Sequence, residues 1–265
     1  MTPENHTTTQ LPDTLTARFD YLRLPYMRDH HEEHLKRAAE RGETHVEFLT
    51  TLADKEVQRK HDLAMRRGVI AAKLPSDKTM DGWDWKWNAQ HIRREQIMPL
   101  FDLAFVKKKE KANVILVGGR GLGKTRIAVS VGHEACCQRI PTLFTTAADM
   151  INRLYAAMAD KSLEKALLTY TRPALLVLDE VGYLPFSKEA GDLFFQVIAK
   201  RYERGSILLT CNRAFKDWSE IFSDNVVAAA IIDRLVHHSQ ILTLKGKSYR
   251  LKDKEAIEAD LKDPK

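Results

Sequence analysis

The feature that most constrains this chain is a glycine-rich octapeptide directly after a short apolar run. The octapeptide Gly-Gly-Arg-Gly-Leu-Gly-Lys-Thr occupies residues 118–125 and the apolar run residues 113–117. The pattern G-x-x-x-x-G-K-T is typical of a phosphate-binding P-loop, which connects a strand to a helix. A helix-like segment follows at residues 126–137. The sequence therefore predicts a strand, a P-loop and a helix, in preference to an ordinary glycine-rich turn.

The residue types of the octapeptide indicate what it binds. Glycines allow successive backbone N–H groups to point at phosphate oxygens, and a helix N-terminus favours an anion. We expect Lys124 to reach the β and γ phosphates of a nucleotide and the Thr125 hydroxyl to bind Mg²⁺. The predicted nucleotide-binding residues are Gly118, Gly119, Arg120, Gly121, Leu122, Gly123, Lys124, Thr125 and Arg126.

Two adjacent acids end a second apolar run, at residues 174–178. Ligands of parallel sheets bind beyond the carboxyl ends of the strands, so we expect Asp179 to hold Mg²⁺ and Glu180 to polarise the attacking water. Asn212 follows a third apolar run, where an amide can bond both the γ phosphate and that water. A simple turn is the alternative interpretation at both places.

The spacing of the remaining elements predicts the fold class. Strands and helices alternate, which favours an α/β fold with a parallel sheet between helices. Beyond the segments already described, we expect strands at 142–146 and 240–244, and helices at 147–158, 162–169, 189–204, around Trp218 and at 225–236. Residues 88–105 are predicted to form one helix with Ile92, Ile97, Leu100, Leu103 and Ala104 directed inward.

The first seventy residues read differently, as helices without strands. Helical segments at 14–22, from Pro25 to Gly42, and from a Thr44–Glu47 capping box to about Arg67 predict a small all-α N-terminal domain at residues 13–72. We expect a disordered leader at 1–12, an ATPase domain at 73–252 that begins with a connector at 73–88, and a charged tail at 253–265.

A basic stripe marks the third helix. Its residues, at spacings that place them on or beside one face, are Lys55, Arg59, Lys60, Arg66 and Arg67. Such a stripe is able to neutralise DNA phosphates, although charge runs are more often solvated faces and acidic residues interleave here. The connector carries alternating tryptophans at 83, 85 and 87, which either stack on a base or, as we favour, pack onto the domain that follows.

Composition sets wider limits. Lys and Arg total 42 against 36 Asp and Glu, a formal charge of +6, which permits a nucleic-acid partner without requiring one. No apolar run is long enough to span a bilayer and no export signal is recognisable, so we expect a cytoplasmic protein without membrane contact. The three cysteines form no C-x-x-C pair, which argues against a cysteine metal site or disulfide.

Several blocks together resemble the IstB and DnaC group of AAA+ ATPases. The blocks are residues 114–125, 175–180, 209–212, 232–235 and 248–250, while residues 22–27 and the Trp-Asp-Trp-Lys-Trp segment resemble the IstB branch, the helper ATPases of insertion-sequence transposition. The P-loop departs from the usual family pattern, which commonly has Pro and Thr where this chain has Gly119-Arg120 and Leu122.

The resemblance implies roles for two arginines, Arg234 and Arg250. Spacing alone leaves these roles open, because an arginine is usually part of a surface ion pair. Arg234 would be an arginine finger acting on a neighbouring subunit's ATP, and Arg250 a sensor arginine within its own subunit. The resemblance also implies ATP-dependent assembly into homo-oligomers on duplex DNA, bending of that DNA, and stimulation of a transposase encoded nearby. The alternatives are a DnaC-like replicative helicase loader and a P-loop scaffold without turnover, the latter disfavoured by Glu180.

Overall fold

The computed structural model describes residues 12–108, 111–183 and 185–252. The chain divides into two compact units, Met1–Arg66 and Arg67–Lys265. The predicted tail, and the predicted leader apart from Pro12, lie outside the described residues. Within the described ranges, no helix is both long and apolar enough to cross a lipid bilayer.

The N-terminal unit is helical, as the sequence predicts. It contains α1 (Leu15–Tyr21), α2 (Pro25–Arg41) and most of α3 (His45–Ala72). Gly42 adopts a left-handed conformation with φ 66° and ends α2. The capping box is present: the backbone N–H of Thr44 donates to Glu47 Oε2 at 2.8 Å, and the N–H of Glu47 donates to Thr44 Oγ1 at 3.3 Å. Helix α3 extends to Ala72 and not only to about Arg67.

A carboxylate of α3 caps α2. Leu24, the residue before α2, has no side-chain acceptor for the free N–H groups of the first turn. Glu56 supplies one, because its Oε2 accepts from the N–H of Tyr26 at 2.7 Å and of Met27 at 3.1 Å. The Glu56 side chain is 3% exposed. A buried charge thus ties the second and third helices together.

The second unit contains a five-stranded sheet in the order β2-β3-β4-β1-β5. Its strands are β1 (Asn113–Gly118), β2 (Thr142–Thr146), β3 (Leu175–Val181), β4 (Ser206–Cys211) and β5 (Ser239–Leu244). All four neighbouring pairs are parallel, which confirms the predicted sheet type. Parallel strands must be joined by crossover connections that return the chain to the same end of the sheet, and the helices supply these connections.

Helices cover both faces of this sheet. They are α4 (Arg94–Ile97), α5 (Ala104–Lys107), α6 (Lys124–Cys137), α7 (Ala147–Ala159), α8 (Leu163–Thr171), α9 (Lys188–Arg201) and α10 (Asn225–Val236). Ile115 and Val117 of β1 join one core with α7 to α10, while Val114 and Leu116 join the other with α6. This alternation is expected for a strand buried on both faces.

Residues 88–105 do not form the single helix that we predicted. They contain α4, a 3₁₀ helix at Met98–Asp102 and the start of α5. Leu103 has a left-handed backbone with φ 56°, which ends the 3₁₀ helix and starts a new axis. The predicted burial is correct for Ile92, Ile97, Leu100 and Leu103. It is wrong for Ala104, which the change of axis leaves exposed.

Two further elements differ from the prediction. Helix α9 ends at Arg201 and not at 204, because Tyr202 leaves the helical conformation with φ −50° and ψ 124°. The Arg201 guanidinium turns inward and donates to the carbonyls of Tyr170, Pro173, Ala174 and Ser206. Burial lowers the pKa of Arg201 to about 10. The segment around Trp218 is a 3₁₀ helix, Phe215–Glu220.

Candidate nucleotide-binding site

A cavity of about 460 Å³ lies where β1, β3 and β4 end. Ligand pockets for small molecules typically measure roughly 300–1,000 Å³. The sequence-predicted residues that line it are Arg120, Gly121, Leu122, Gly123, Lys124, Thr125, Arg126, Glu180, Asn212 and Arg250. The connector contributes Trp83, Asp84, Trp87 and Asn88. The structure thus brings together residues from the P-loop, two strand ends, the connector and the C-terminal part of the chain.

The P-loop wraps closely around its neighbours. Gly121 has φ 75° and lies so near Ser248 that a Cβ atom would overlap the serine side chain. Gly123 has φ 84° and lies under the ring of Trp83. Both positions therefore require glycine for backbone conformation and for space. The tryptophan segment forms turns and not a strand, and Trp83 packs on the P-loop as the favoured interpretation predicts.

Lys124 is held at the base of the loop. Its Nζ donates to the carbonyl oxygens of Gly118 at 2.8 Å and Gly119 at 2.7 Å. Burial lowers the pKa of Lys124, with Arg250 acting in the same direction and Asp179 against it. A partly desolvated ammonium that forms no ion pair with a carboxylate of the described residues is well suited to bind an anion, because an anion would restore the interactions that burial removed.

Asp179 joins the P-loop helix to two strands. The Thr125 hydroxyl donates to Asp179 Oδ1 at 3.0 Å, and the Thr210 hydroxyl donates to the same oxygen at 2.5 Å. Asp179 is 3% exposed and lies behind Thr125. Hydroxyl and carboxylate oxygens are the ligands that Mg²⁺ prefers, so this pair fits the ion that we predicted here.

Glu180 adopts an unusual backbone conformation at the end of β3. Its φ is 62°, and its N–H donates to Thr210 Oγ1 at 3.0 Å. The β3–β4 register shifts between Leu178 and Val181, so the strand bulges at this residue. The side chain is exposed and lines the cavity. Left-handed conformations of residues other than glycine concentrate at functional sites.

Asn212 supplies an unsatisfied polar atom. Its Oδ1 is buried and has no hydrogen-bond partner among the described residues, and the residue itself lines the same cavity. Buried polar atoms are nearly always hydrogen-bonded in folded proteins, so an unpaired one in a residue that lines a cavity indicates a ligand or a water. The site therefore fits a nucleotide at Lys124, a cation at Thr125 and a bound water near Asn212.

Three predicted arginines have quite different surroundings. Arg120 lies over the ring of Tyr183, 4.9 Å from its centroid. Arg126 donates to the carbonyls of Thr79, at 2.6 Å, and Asp81, so it holds the connector against α6. Arg250 lines the cavity.

Arg234 lies elsewhere, on α10. It lies over Phe195, 4.9 Å from the ring centroid, and donates to the carbonyl of Ala230 at 3.1 Å. It does not line this cavity, so the structure does not bring it to the P-loop of its own chain. The predicted role in a neighbouring subunit stays a prediction.

The basic stripe is exposed along α3. All five side chains, at Lys55, Arg59, Lys60, Arg66 and Arg67, are open to solvent. The Arg59 guanidinium lies 4.0 Å from Oε1 of Glu56, which is beyond hydrogen-bond distance. The stripe is therefore available to phosphates, and its role in DNA binding stays a prediction.

Sequence reasoning missed two residues that organise the site. Thr210 bonds both acids of β3, and the signal was available as a polar residue inside an otherwise apolar strand. Asn88 forms hydrogen bonds with Lys247, which lies 159 residues away, and no local sequence pattern predicts this contact. Both residues act by holding the groups that face the cavity.

Comparisons with known proteins agree with this geometry. A family model described as "IstB-like ATP binding protein" matches residues 17–257. A Geobacillus stearothermophilus protein named as an ATP-binding protein of insertion sequence IS5376 is 38% identical over 242 residues, covering 91% of this chain and 95% of that protein. A Pseudomonas aeruginosa protein named likewise for IS21 is 39% identical over 233 residues, covering 88% and 87%.

Solved structures show the same fold at low identity. The crystal structure of DnaI has a TM-score of 0.52 at 15% identity, covering 65% of this chain and 90% of DnaI. AMPPCP-bound DnaA from Aquifex aeolicus has a TM-score of 0.52 at 16% identity, covering 72% of this chain and 56% of DnaA. The predicted AAA+ P-loop fold, with a helical region before it, is confirmed.

Proposed function

Because this chain belongs to the family of IstB-like ATP binding proteins, we propose that it hydrolyses ATP to help an insertion sequence transpose. The observation that carries the proposal is that Lys124, Thr125, Glu180 and Asn212 line one cavity, while the buried Asp179 is hydrogen-bonded to Thr125. Relatives at 38% and 39% identity bear insertion-sequence names, which supports the biological setting.

The residues divide the work of binding and hydrolysis. P-loop N–H groups and Lys124 bind the phosphates, and Thr125 with Asp179 would hold Mg²⁺, which neutralises phosphate charge when bound. Glu180 accepts a proton from the attacking water, and the unpaired Asn212 oxygen accepts a hydrogen bond from that water and holds it in line. Arg250 contacts the phosphates from its own chain, and Arg234 contacts those of the neighbouring subunit.

The decisive experiment on hydrolysis compares two variants with the wild type. Glu180→Gln keeps the shape of the side chain and removes the base, so ATP binding is retained and turnover falls at least about 100-fold. Lys124→Ala loses binding and turnover together. Equal, measurable turnover in wild type and Glu180→Gln would show that this acid is structural. Binding of ATP without turnover in the wild type would show that the chain is a P-loop scaffold.

The second part of the proposal concerns DNA. ATP drives assembly of a homo-oligomer on duplex DNA, which the assembly bends and presents to a transposase encoded nearby. The net charge of +6 and the exposed basic stripe of α3 support a phosphate partner. Sedimentation with duplex DNA and a non-hydrolysable ATP analogue tests this, and assembly by Lys124→Ala equal to that of the wild type would contradict it.

A replicative helicase loader remains the competing function of this fold. The two functions differ in the protein partner and in the preferred DNA. Capture of a transposase and preference for duplex DNA support the proposal. Capture of a replicative helicase and preference for single strands would replace it.

A further inference from the structure

The connector holds the part of the chain that carries Arg250. We name residues 247–252 the arginine segment. The side-chain amide of Asn88 makes two hydrogen bonds to one residue of it: Nδ2 donates to the carbonyl of Lys247 at 2.8 Å, and the N–H of Lys247 donates to Oδ1 at 2.9 Å. The amide thus pairs with both backbone groups of Lys247, as a neighbouring strand would.

The backbone at both ends of this contact suits the pairing. Asn88 has φ 58°, a left-handed conformation that asparagine tolerates better than most residues. Gly246 has φ 122°, and a Cβ atom there would overlap the Asn88 amide. A side chain at 246 would therefore push the arginine segment away from the connector.

Two further contacts, at Tyr249 before Arg250 and at Lys252 after it, complete the attachment. Asp84 accepts a hydrogen bond from Lys252 Nζ at 2.6 Å, and this bond lowers the pKa of Asp84. The Trp87 ring packs edge-on against Tyr249 with centroids 6.0 Å apart. Connector residues therefore contact the arginine segment both before and after Arg250.

The opposite side of the arginine segment rests on the P-loop. The N–H of Tyr249 donates to the carbonyl of Gly121 at 2.9 Å, and Ser248 lies against the same glycine. Arg250 follows directly and lines the nucleotide cavity. The segment is therefore fixed between the connector and the phosphate-binding loop.

We propose that Asn88 is a positioning residue, whose amide fixes the Lys247 backbone and so holds Arg250 at the nucleotide. The inference rests on the proposed function, because it requires that Arg250 binds ATP. Asn88 makes the strongest of these connector contacts, since its amide forms two hydrogen bonds to the Lys247 backbone, whereas Trp87 Nε1 donates one, to the Lys247 carbonyl at 3.2 Å. The Asp84–Lys252 pair is partly exposed, and such ion pairs contribute little.

The test measures the affinity for a fluorescent ATP analogue in four variants of the full chain. Asn88→Gly keeps the left-handed backbone and removes the amide, so the Kd rises about tenfold, as in Arg250→Ala. The double variant binds no more weakly than Arg250→Ala alone. Asn88→Asp retains only the acceptor for the Lys247 N–H and gives an intermediate Kd.

Arg139→Gly is the matched control. Arg139 is exposed, has φ 58°, and does not line the cavity, so glycine there leaves the Kd unchanged. The inference is overturned if Asn88→Gly binds like wild type while Arg250→Ala is impaired, or if the two defects multiply in the double variant. It is also overturned if Arg250→Ala binds normally, an outcome that leaves the proposed function standing on the turnover of Glu180→Gln.

Discussion

The hydroxyl of Thr125 and the carboxylate of Asp179 lie 3.0 Å apart although 54 residues separate them in the chain. One is in the first turn of α6 and the other near the end of β3. Their meeting places two oxygen ligands side by side, with Asp179 also accepting from Thr210. We therefore predict that the hydroxyl group of Thr125, and not the shape of its side chain, determines how tightly the site binds Mg²⁺.

Replacing Thr125 by valine keeps the shape and removes the hydroxyl. We expect the Mg²⁺ concentration for half-maximal turnover to rise at least about tenfold, because one oxygen ligand is removed. Thr125→Ser, which keeps the hydroxyl, stays close to the wild type. The measurement is the ATPase rate as a function of Mg²⁺ concentration, and a normal Mg²⁺ requirement in Thr125→Val would refute the assignment.

Arg234 is predicted to act across a subunit boundary. Arg234→Ala should bind ATP normally and lose turnover at least about 100-fold, because the transition-state charge is no longer neutralised. Mixing it with Glu180→Gln in equal amounts should restore about a quarter of wild-type turnover. Each site at a heterologous contact needs Glu180 from one subunit and Arg234 from its neighbour, and random mixing brings both intact residues together at about a quarter of the sites.

The control for this experiment is Arg172→Ala, an exposed arginine at the end of α8 that should not change turnover. A mixture no more active than the sum of its two components would show that Arg234 does not complete a neighbour's site. Normal turnover of Arg234→Ala alone would show the same.

The basic stripe is predicted to contact DNA phosphates. Neutralising Lys55, Arg59 and Arg66 to glutamine should weaken duplex binding at low salt. The slope of log affinity against log salt should become shallower by about 0.9 for each phosphate that the variant no longer neutralises, because fewer counterions are then released on binding. Neutralising the exposed Lys161 and Lys165 in the other unit is the control. An unchanged slope in the triple variant would identify the stripe as a solvated face.

Glu56 is predicted to stabilise the N-terminal helices. Glu56→Ala removes the acceptor of two backbone N–H groups of α2, at a cost of about 2–3 kcal/mol for hydrogen bonds to a charged group. The exposed Glu40→Ala should change stability by less than about 0.5 kcal/mol. Urea unfolding gives the free energies, and hydrogen exchange at Tyr26 and Met27 localises the effect. Unchanged exchange there would contradict the capping role.

The strands and the P-loop were predictable because their signals are local. A strand buried on both faces is apolar throughout, and β1, β3 and β4 all show such runs in the sequence. The P-loop pattern predicts a strand before it and a helix after it. The proposed roles of Asp179 and Glu180 were predictable because both residues lie at the end of an apolar run. The broken helix at 88–105 shows the limit: burial of Leu103 was foreseeable, whereas its left-handed backbone, which exposes Ala104, leaves no periodic signal.

Contacts between distant residues were not predictable from one sequence. The roles of Thr210 and Asn88 depend on side chains meeting residues 31 and 159 positions away. Glu56 is similar, since α3 reads as a charged helix and nothing in its spacing reveals that one of its acids is buried under α2. Such pairings depend on how the elements pack, and a single sequence does not encode them in any periodic form.

The left-handed backbone of Glu180 creates a trade-off between the stability of the fold and the hydrolysis of ATP at a single position. Holding a residue with a side chain at φ 62° costs on the order of 1–3 kcal/mol, which glycine would recover. Selection for heat resistance alone would therefore favour Glu180→Gly and discard the group that we assign to proton transfer. A Glu180→Gly protein would then be expected to unfold at a higher temperature, to bind nucleotide and to hydrolyse it poorly.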